Sequence, residues 1–149
     1  NEEDSLRVYV VDASVAARFL LVEELSEKAE LLLESFRDGA VELRAPELVK
    51  YEVGNTLWKA AKQRLMNGNE ASERFSYFLR LRLGSIELDD QECKEALAWG
   101  VRNDATYYDS VYVKASEKAG ATLLTADETL YEKASKEVPT LHLRNLGKK

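Results

Sequence analysis

Apolar residues in this chain follow two rhythms. Leu6 to Val11 is a short, nearly unbroken apolar run, as expected of a buried strand. Val41 to Ala45 alternates and reads as a second strand, and Ile86–Leu88, Thr122–Thr125 and Thr140–Leu143 supply three more short ones. Between these runs the apolar positions recur at three- and four-residue spacing. Ser14 to Phe36 carries Val15, Phe19, Leu20, Leu31, Leu32 and Phe36, and a break at Glu23–Ser26 divides it into two helices ended by Asp38-Gly39. Pro46 is placed at the first turn of the next helix, which carries Leu48, Glu52, Asn55, Thr56, Trp58 and Leu65 up to the Asn67-Gly68-Asn69 turn. A further helix spans Glu70 to Leu83 and stops at Gly84. Asp89-Asp90 caps the one after it, Asn103–Thr106 breaks the pattern, Tyr107–Ala119 is helical up to Gly120, and Glu128–Ser135 is a short helix.

Strands alternating with helices imply parallel pairing with helices on both faces. The fold class is therefore α/β, a three-layer α/β/α arrangement around a mostly parallel sheet of roughly five strands. In such open sheets the binding site lies beyond the carboxyl ends of the strands, where strand order reverses. Asp12 and Asp127 both stand at such strand ends.

The 149 residues suit one domain, residues 1–149 with a core of about 6–143, and show no repeat, linker or low-complexity tract. No apolar run approaches the roughly 18 residues needed to span a bilayer, so a cytoplasmic protein without membrane association is expected. The chain opens on Asn1 rather than Met, which leaves the native start open. Cys93 and His142 are the only residues of their types and read as structural. They exclude a disulfide framework and a Cys-rich zinc site within one chain, and leave little material for a His-based triad. Hydrolytic chemistry here must be built on carboxylates. The net charge of −6 argues against a broad basic surface for duplex DNA, but not against a local phosphate-binding strip. Lys59, Lys62, Arg64, Arg80 and Arg82 are the candidates for one.

Four acids stand in apolar surroundings: Asp12 after Val8-Tyr9-Val10-Val11, Glu52 between Tyr51 and Val53, Asp109 within Tyr107–Tyr112, and Asp127 after Leu123-Leu124-Thr125-Ala126. Any one of them has an ordinary explanation as a helix cap or a first-turn acid. Four together, two at strand ends, point to a shared site. Hard cations such as Mg²⁺ take oxygen ligands, and carboxylates from separate elements suit a metal-assisted hydrolysis.

Val11-Asp12-Ala13-Ser14-Val15, Glu52 to Trp58, Thr106 to Tyr112, and Leu124-Thr125-Ala126-Asp127 resemble the successive motifs of PIN domains, and most closely those of VapC toxins from VapBC toxin–antitoxin pairs. The resemblance runs from about Leu6 to Leu143. It implies a metal-dependent endoribonuclease using Mg²⁺ or Mn²⁺, with Asp12, Glu52, Asp109 and Asp127 as catalytic and metal-binding acids. Ser14, Asn55 and Thr125 match its supporting positions, and Asp104 is a possible additional acid beside the pocket, although it also reads as a turn residue. Ser110 stands where the family usually has Ala. The implied partners are RNA, a cognate antitoxin and a second copy in a homodimer. Phe19, Leu20, Leu48, Tyr51 and Trp58, which look surplus to one core, are the apolar surface expected to serve the protein partners.

Other readings fare less well. A HAD phosphatase needs a second acid two residues after Asp12, where this chain has Ser14. A receiver domain lacks its paired acids and late lysine, and no GxxxxGK[ST] loop is present. The alternative from another class is a PIN-fold binding module with weak or no nuclease activity. A DNA nuclease of related fold would need insertions that this short chain lacks.

Overall fold

The computed structural model describes residues 6–147, so Asn1 lies outside the described residues. Five strands form one sheet: β1 (Arg7–Val11), β2 (Val41–Pro46), β3 (Gly84–Ile86), β4 (Thr122–Thr125) and β5 (Thr140–His142). Their order is β3-β2-β1-β4-β5, and every neighbouring pair is parallel. The expected α/β class and strand count hold, and "mostly parallel" becomes wholly parallel among the described residues. Seven helices accompany the sheet: α1 (Ala13–Ala17), α2 (Ser26–Arg37), α3 (Leu48–Lys62), α4 (Gly68–Arg80), α5 (Asp90–Asn103), α6 (Tyr107–Ala119) and α7 (Glu128–Ala134).

The core follows from the strand sequences. Val10 and Val11 of β1, Leu43 of β2, and Leu123 and Leu124 of β4 are fully buried. A parallel sheet covered on both faces requires such unbroken apolar strands. Strand order runs outward from β1 to β2 and β3, then restarts with β4 on the other side of β1. The reversal lies between the carboxyl ends of β1 and β4, where the Asp12 backbone N–H donates to the Leu124 carbonyl at 3.4 Å. Asp12 thus stands at the topological switch point.

Three boundaries differ from the sequence reading. Pro46 does not open α3; it is the last residue of β2, pairs in register with Ile86, and is buried. The helix begins two residues later, after Glu47. Proline fits either place because it lacks an N–H, and pairing with β3 decides for the strand. Gly84 does not terminate α4, which stops at Arg80; Arg82, in a left-handed conformation at φ +54°, turns the chain instead. Gly84 opens β3, where an added Cβ would stand 2.8 Å from Arg44 Cγ, so its small size serves strand packing. The third strand is correspondingly Gly84–Ile86 rather than Ile86–Leu88.

The apolar set thought surplus to the core divides. Leu20 is buried, and Phe19 and Leu48 pack partly buried against the core. Tyr51 and Trp58 on α3 are 67% and 58% exposed. The two indispensable singletons are also placed. Cys93 is half-buried on α5. His142 is buried, accepts the Arg144 backbone N–H on Nδ1 at 3.1 Å, and is held below its ordinary pKa by burial and then by Arg144.

Candidate active site

The floor of the site is built where β1 and β4 end. Asp12, only 4% exposed, caps α1 by accepting the Val15 backbone N–H on Oδ1 at 3.1 Å. Ser14 Oγ donates to the same oxygen at 2.6 Å, and Thr125 Oγ1 donates to Oδ2 at 2.5 Å. These charge-assisted bonds fix the direction of the carboxylate. Ser14 Oγ also accepts the Ala126 N–H at 2.8 Å, and Thr125 Oγ1 accepts the Asp127 N–H at 3.0 Å. Two hydroxyls therefore tie the ends of both strands to one carboxylate. Burial nevertheless raises the Asp12 pKa; the bonds from Ser14, Thr125 and Val15 oppose the rise, and the charge of Asp127 adds to it.

Three further acids form the rim. Asp109 lies in the first turn of α6, its backbone N–H accepted by the N-cap Thr106 hydroxyl at 3.1 Å. Its pKa is pushed up to about 6, first by burial and then by the charges of Asp127, Asp12 and Glu52, with Lys133 opposing. The charges of the other three acids all act on this carboxyl in the same direction. Glu52, half-buried on α3, accepts a hydrogen bond from the Tyr112 hydroxyl on Oε1 at 2.6 Å. Asp127 is exposed and caps α7 by accepting the Leu130 N–H at 2.9 Å. Asp12 and Asp127 are thus ordinary helix caps and members of the cluster at once.

The donor chemistry suits a hard divalent cation: all four side chains offer carboxylate oxygens, and their mutual repulsion is what such an ion relieves. In this conformation no three acidic, histidine or cysteine side chains among the described residues are gathered closely enough to hold one ion. Two rim acids also bond within the chain through one carboxylate oxygen each, Asp127 to the α7 cap and Glu52 to Tyr112.

Comparison with known proteins decides the family. The profile of the PIN domain family matches residues 9–136. The chain belongs to the PIN-domain family. Within it, the chain sits with the VapC proteins. It is 39% identical to Ribonuclease VapC3 of Pyrobaculum aerophilum over 128 residues, which is 83% of this chain and 92% of that protein. It is 34% identical to Exonuclease VapC9 of the same organism over 100 residues, 65% of this chain and 72% of that one. Among solved structures, PAE2754 from Pyrobaculum aerophilum superposes with a TM-score of 0.73 at 25% identity and covers 95% of both chains.

In this PIN domain the remaining predicted residues fall in three places. Ser14 and Thr125 lie in the floor. Asn55 is exposed on α3, one helical turn beyond Glu52, and Asp104 caps the carboxyl end of α5 in a left-handed turn at φ +53°. The Asp104 carbonyl, not its carboxylate, receives the Lys133 ammonium. Lys59, Lys62, Arg64, Arg80 and Arg82 are all exposed; Lys59 and Lys62 continue the face of α3 that bears Glu52 and Asn55. Arg80 ends α4 and Arg82 follows it, on a different element. Ser110 turns its hydroxyl back to the Thr106 carbonyl at 2.8 Å, so the departure from Ala is absorbed within α6. Tyr112 was not singled out by the sequence reading. Its spacing from Asp109, three residues along one helix, is the signal that it shares a face with a site acid.

Proposed function

We propose that this PIN-domain protein is a divalent-metal-dependent endoribonuclease, the toxin partner of a VapBC-type pair, acting in the cytoplasm. The single observation that carries the reading is the buried Asp12 carboxylate at the β1/β4 switch point, held by Ser14, Val15 and Thr125 where both strands end. The VapC relatives, one of which is a ribonuclease, support it. Asp12, Glu52, Asp109 and Asp127 hold Mg²⁺ or Mn²⁺, with Asp12 as the fixed ligand and the other three drawn in from the rim. When bound, the metal supplies a Lewis acid that activates water and neutralises charge developing on a phosphodiester. Ser14 and Thr125 keep the Asp12 carboxylate aimed at the pocket. Lys59 and Lys62, with Arg64, meet the phosphates of a bound RNA, and Asn55 lies beside that path; Arg80 and Arg82 offer a second, separate contact. Asp104, exposed at the end of α5, is a possible additional acid beside the pocket. Tyr51 and Trp58 offer apolar surface to a second copy or to an antitoxin segment.

The test uses the purified, partner-free chain on matched RNA and DNA oligonucleotides, circular and linear, with chelator and with millimolar Mg²⁺ or Mn²⁺. Internal cleavage of circular RNA only with metal is expected. Cleavage only from the ends of linear substrates would make the enzyme an exonuclease, the activity named for VapC9. Metal-independent cleavage would remove the acid cluster from the chemistry, and no cleavage of either nucleic acid would leave the binding-module reading.

A further inference from the structure

We infer that Tyr112 is a positioning residue that sets the direction of Glu52 and thereby tunes the affinity of the acid cluster for a divalent ion. The inference rests on the metal-site reading above. Three observations carry it. The Tyr112 side chain is almost wholly buried, at 1% exposure, in the centre of α6 beneath the site. Its hydroxyl makes a 2.6 Å bond to Glu52 Oε1, on α3, sixty positions away in sequence. No other donor to the Glu52 carboxylate is found among the described residues.

A buried ring would pack equally well as phenylalanine. The hydroxyl is a polar group taken out of water, and such a group needs a partner to offset its desolvation. Its partner here is a carboxylate, which gives a short charge-assisted bond. Asp109 has no donor to its carboxylate among the described residues, and Glu52 has Tyr112 alone. Asp12 has three donors and Asp127 has the Leu130 amide. The Glu52 side chain also has more rotatable bonds than an aspartate, so it has the most freedom to lose on ligation. By occupying Oε1, Tyr112 limits that freedom and leaves Oε2 to meet an ion. Outer partners of metal ligands act in this way, and their loss typically weakens metal affinity ten- to a hundredfold.

The test is a double-mutant cycle on the full chain, stripped with chelator and titrated with Mn²⁺ alone, read by electron paramagnetic resonance and calorimetry. Tyr112→Phe is expected to weaken Mn²⁺ binding about tenfold or more in the wild-type background. In a Glu52→Gln background, where the charged ligand is already gone, the same change is expected to add no further loss. Equal Mn²⁺ affinity for wild type and Tyr112→Phe would overturn the inference while leaving the metal site intact. An equal loss in both backgrounds, including loss through misfolding, would also overturn it, because Tyr112 would then act on the fold rather than through Glu52. Absence of Mn²⁺ binding by the wild type would instead overturn the metal-site reading, and this inference with it.

Discussion

The floor and the rim of the acid cluster use the same chemical group in opposite ways. Asp12 on the floor is buried and saturated: one backbone amide and two hydroxyls hold it, and they also stitch β1 to β4. Asp109 on the rim is half-buried, and no donor within hydrogen-bonding distance of its carboxylate is found among the described residues; after burial, the charges of the other three acids raise its pKa. Both carboxyls are raised in pKa by burial. The difference lies in what opposes the rise: fixed hydrogen bonds for Asp12, and only the Lys133 charge for Asp109. The floor is organised by the fold itself, whereas the rim carries a repulsion that folding alone does not relieve.

Replacing the floor acid should have the largest effect. Asp12→Asn keeps the shape of the side chain and its capping oxygen but removes the charge. RNA cleavage is expected to fall by more than about a hundredfold, beyond what the loss of an outer partner costs, with the circular dichroism spectrum unchanged. Near-normal cleavage by this variant would show that the floor is a structural cap only.

Next in size is the support beneath it. Thr125→Val preserves the strand and its volume but removes the donor to Asp12 Oδ2 and the acceptor of the Asp127 N–H. Leaving buried polar groups unpaired costs about 1–3 kcal/mol each. Urea unfolding in chelator should show a loss in that range. A stability equal to wild type would mean that water or a shifted Ser14 replaces the hydroxyl, and the floor would be less rigid than its hydrogen bonds indicate.

The smallest expected effect has the opposite sign and belongs to the rim. In the absence of metal the folded protein holds the Asp109 proton up to about pH 6, while an unfolded aspartate releases it near pH 3.8. The folded state therefore binds more protons between those values, and stability falls as pH rises through that window, then levels off. Asp109→Asn lacks this loss. After discounting for solvent screening at a half-exposed group, the variant should be more stable than wild type by about 1 kcal/mol above pH 6, with the gap closing below about pH 4. The helix-dipole contribution of a first-turn acid, 0.3–1 kcal/mol, works against this gain. Saturating Mn²⁺ should reverse the order: the wild type gains about 2.7 kcal/mol at a hundredfold excess over Kd, and the variant gains less. Melting curves in chelator and in Mn²⁺ at two pH values measure both parts. A variant that melts lower in chelator at pH 7 and gains as much from Mn²⁺ would place Asp109 outside the shared site.

Much of this molecule could be read from its sequence because the signals are local. The unbroken apolar runs at β1 and β4, the period of the helices, and the cap Asp89 depend on neighbours within a few residues, so chain pattern alone determines them. The acids after two strands could be nominated for the same reason. Boundaries that rest on partners distant in the chain could not. Pro46 joined the strand because β3 lies beside it, and Gly84 was needed for the Arg44 side chain rather than for a helix end. The burial of Leu20, in the turn after α1, and the exposure of Trp58 on α3 likewise depended on what folds beside them. What only the tertiary structure decided is the division of labour among the acids. Hydrogen bonds spanning more than a hundred residues made Asp12 a fixed floor, and the tertiary fold brought the Tyr112 hydroxyl of α6 to Glu52 of α3. Local pattern sets which residues are polar and where elements start; burial, and the donors that folding brings to each carboxylate, set what those residues can do.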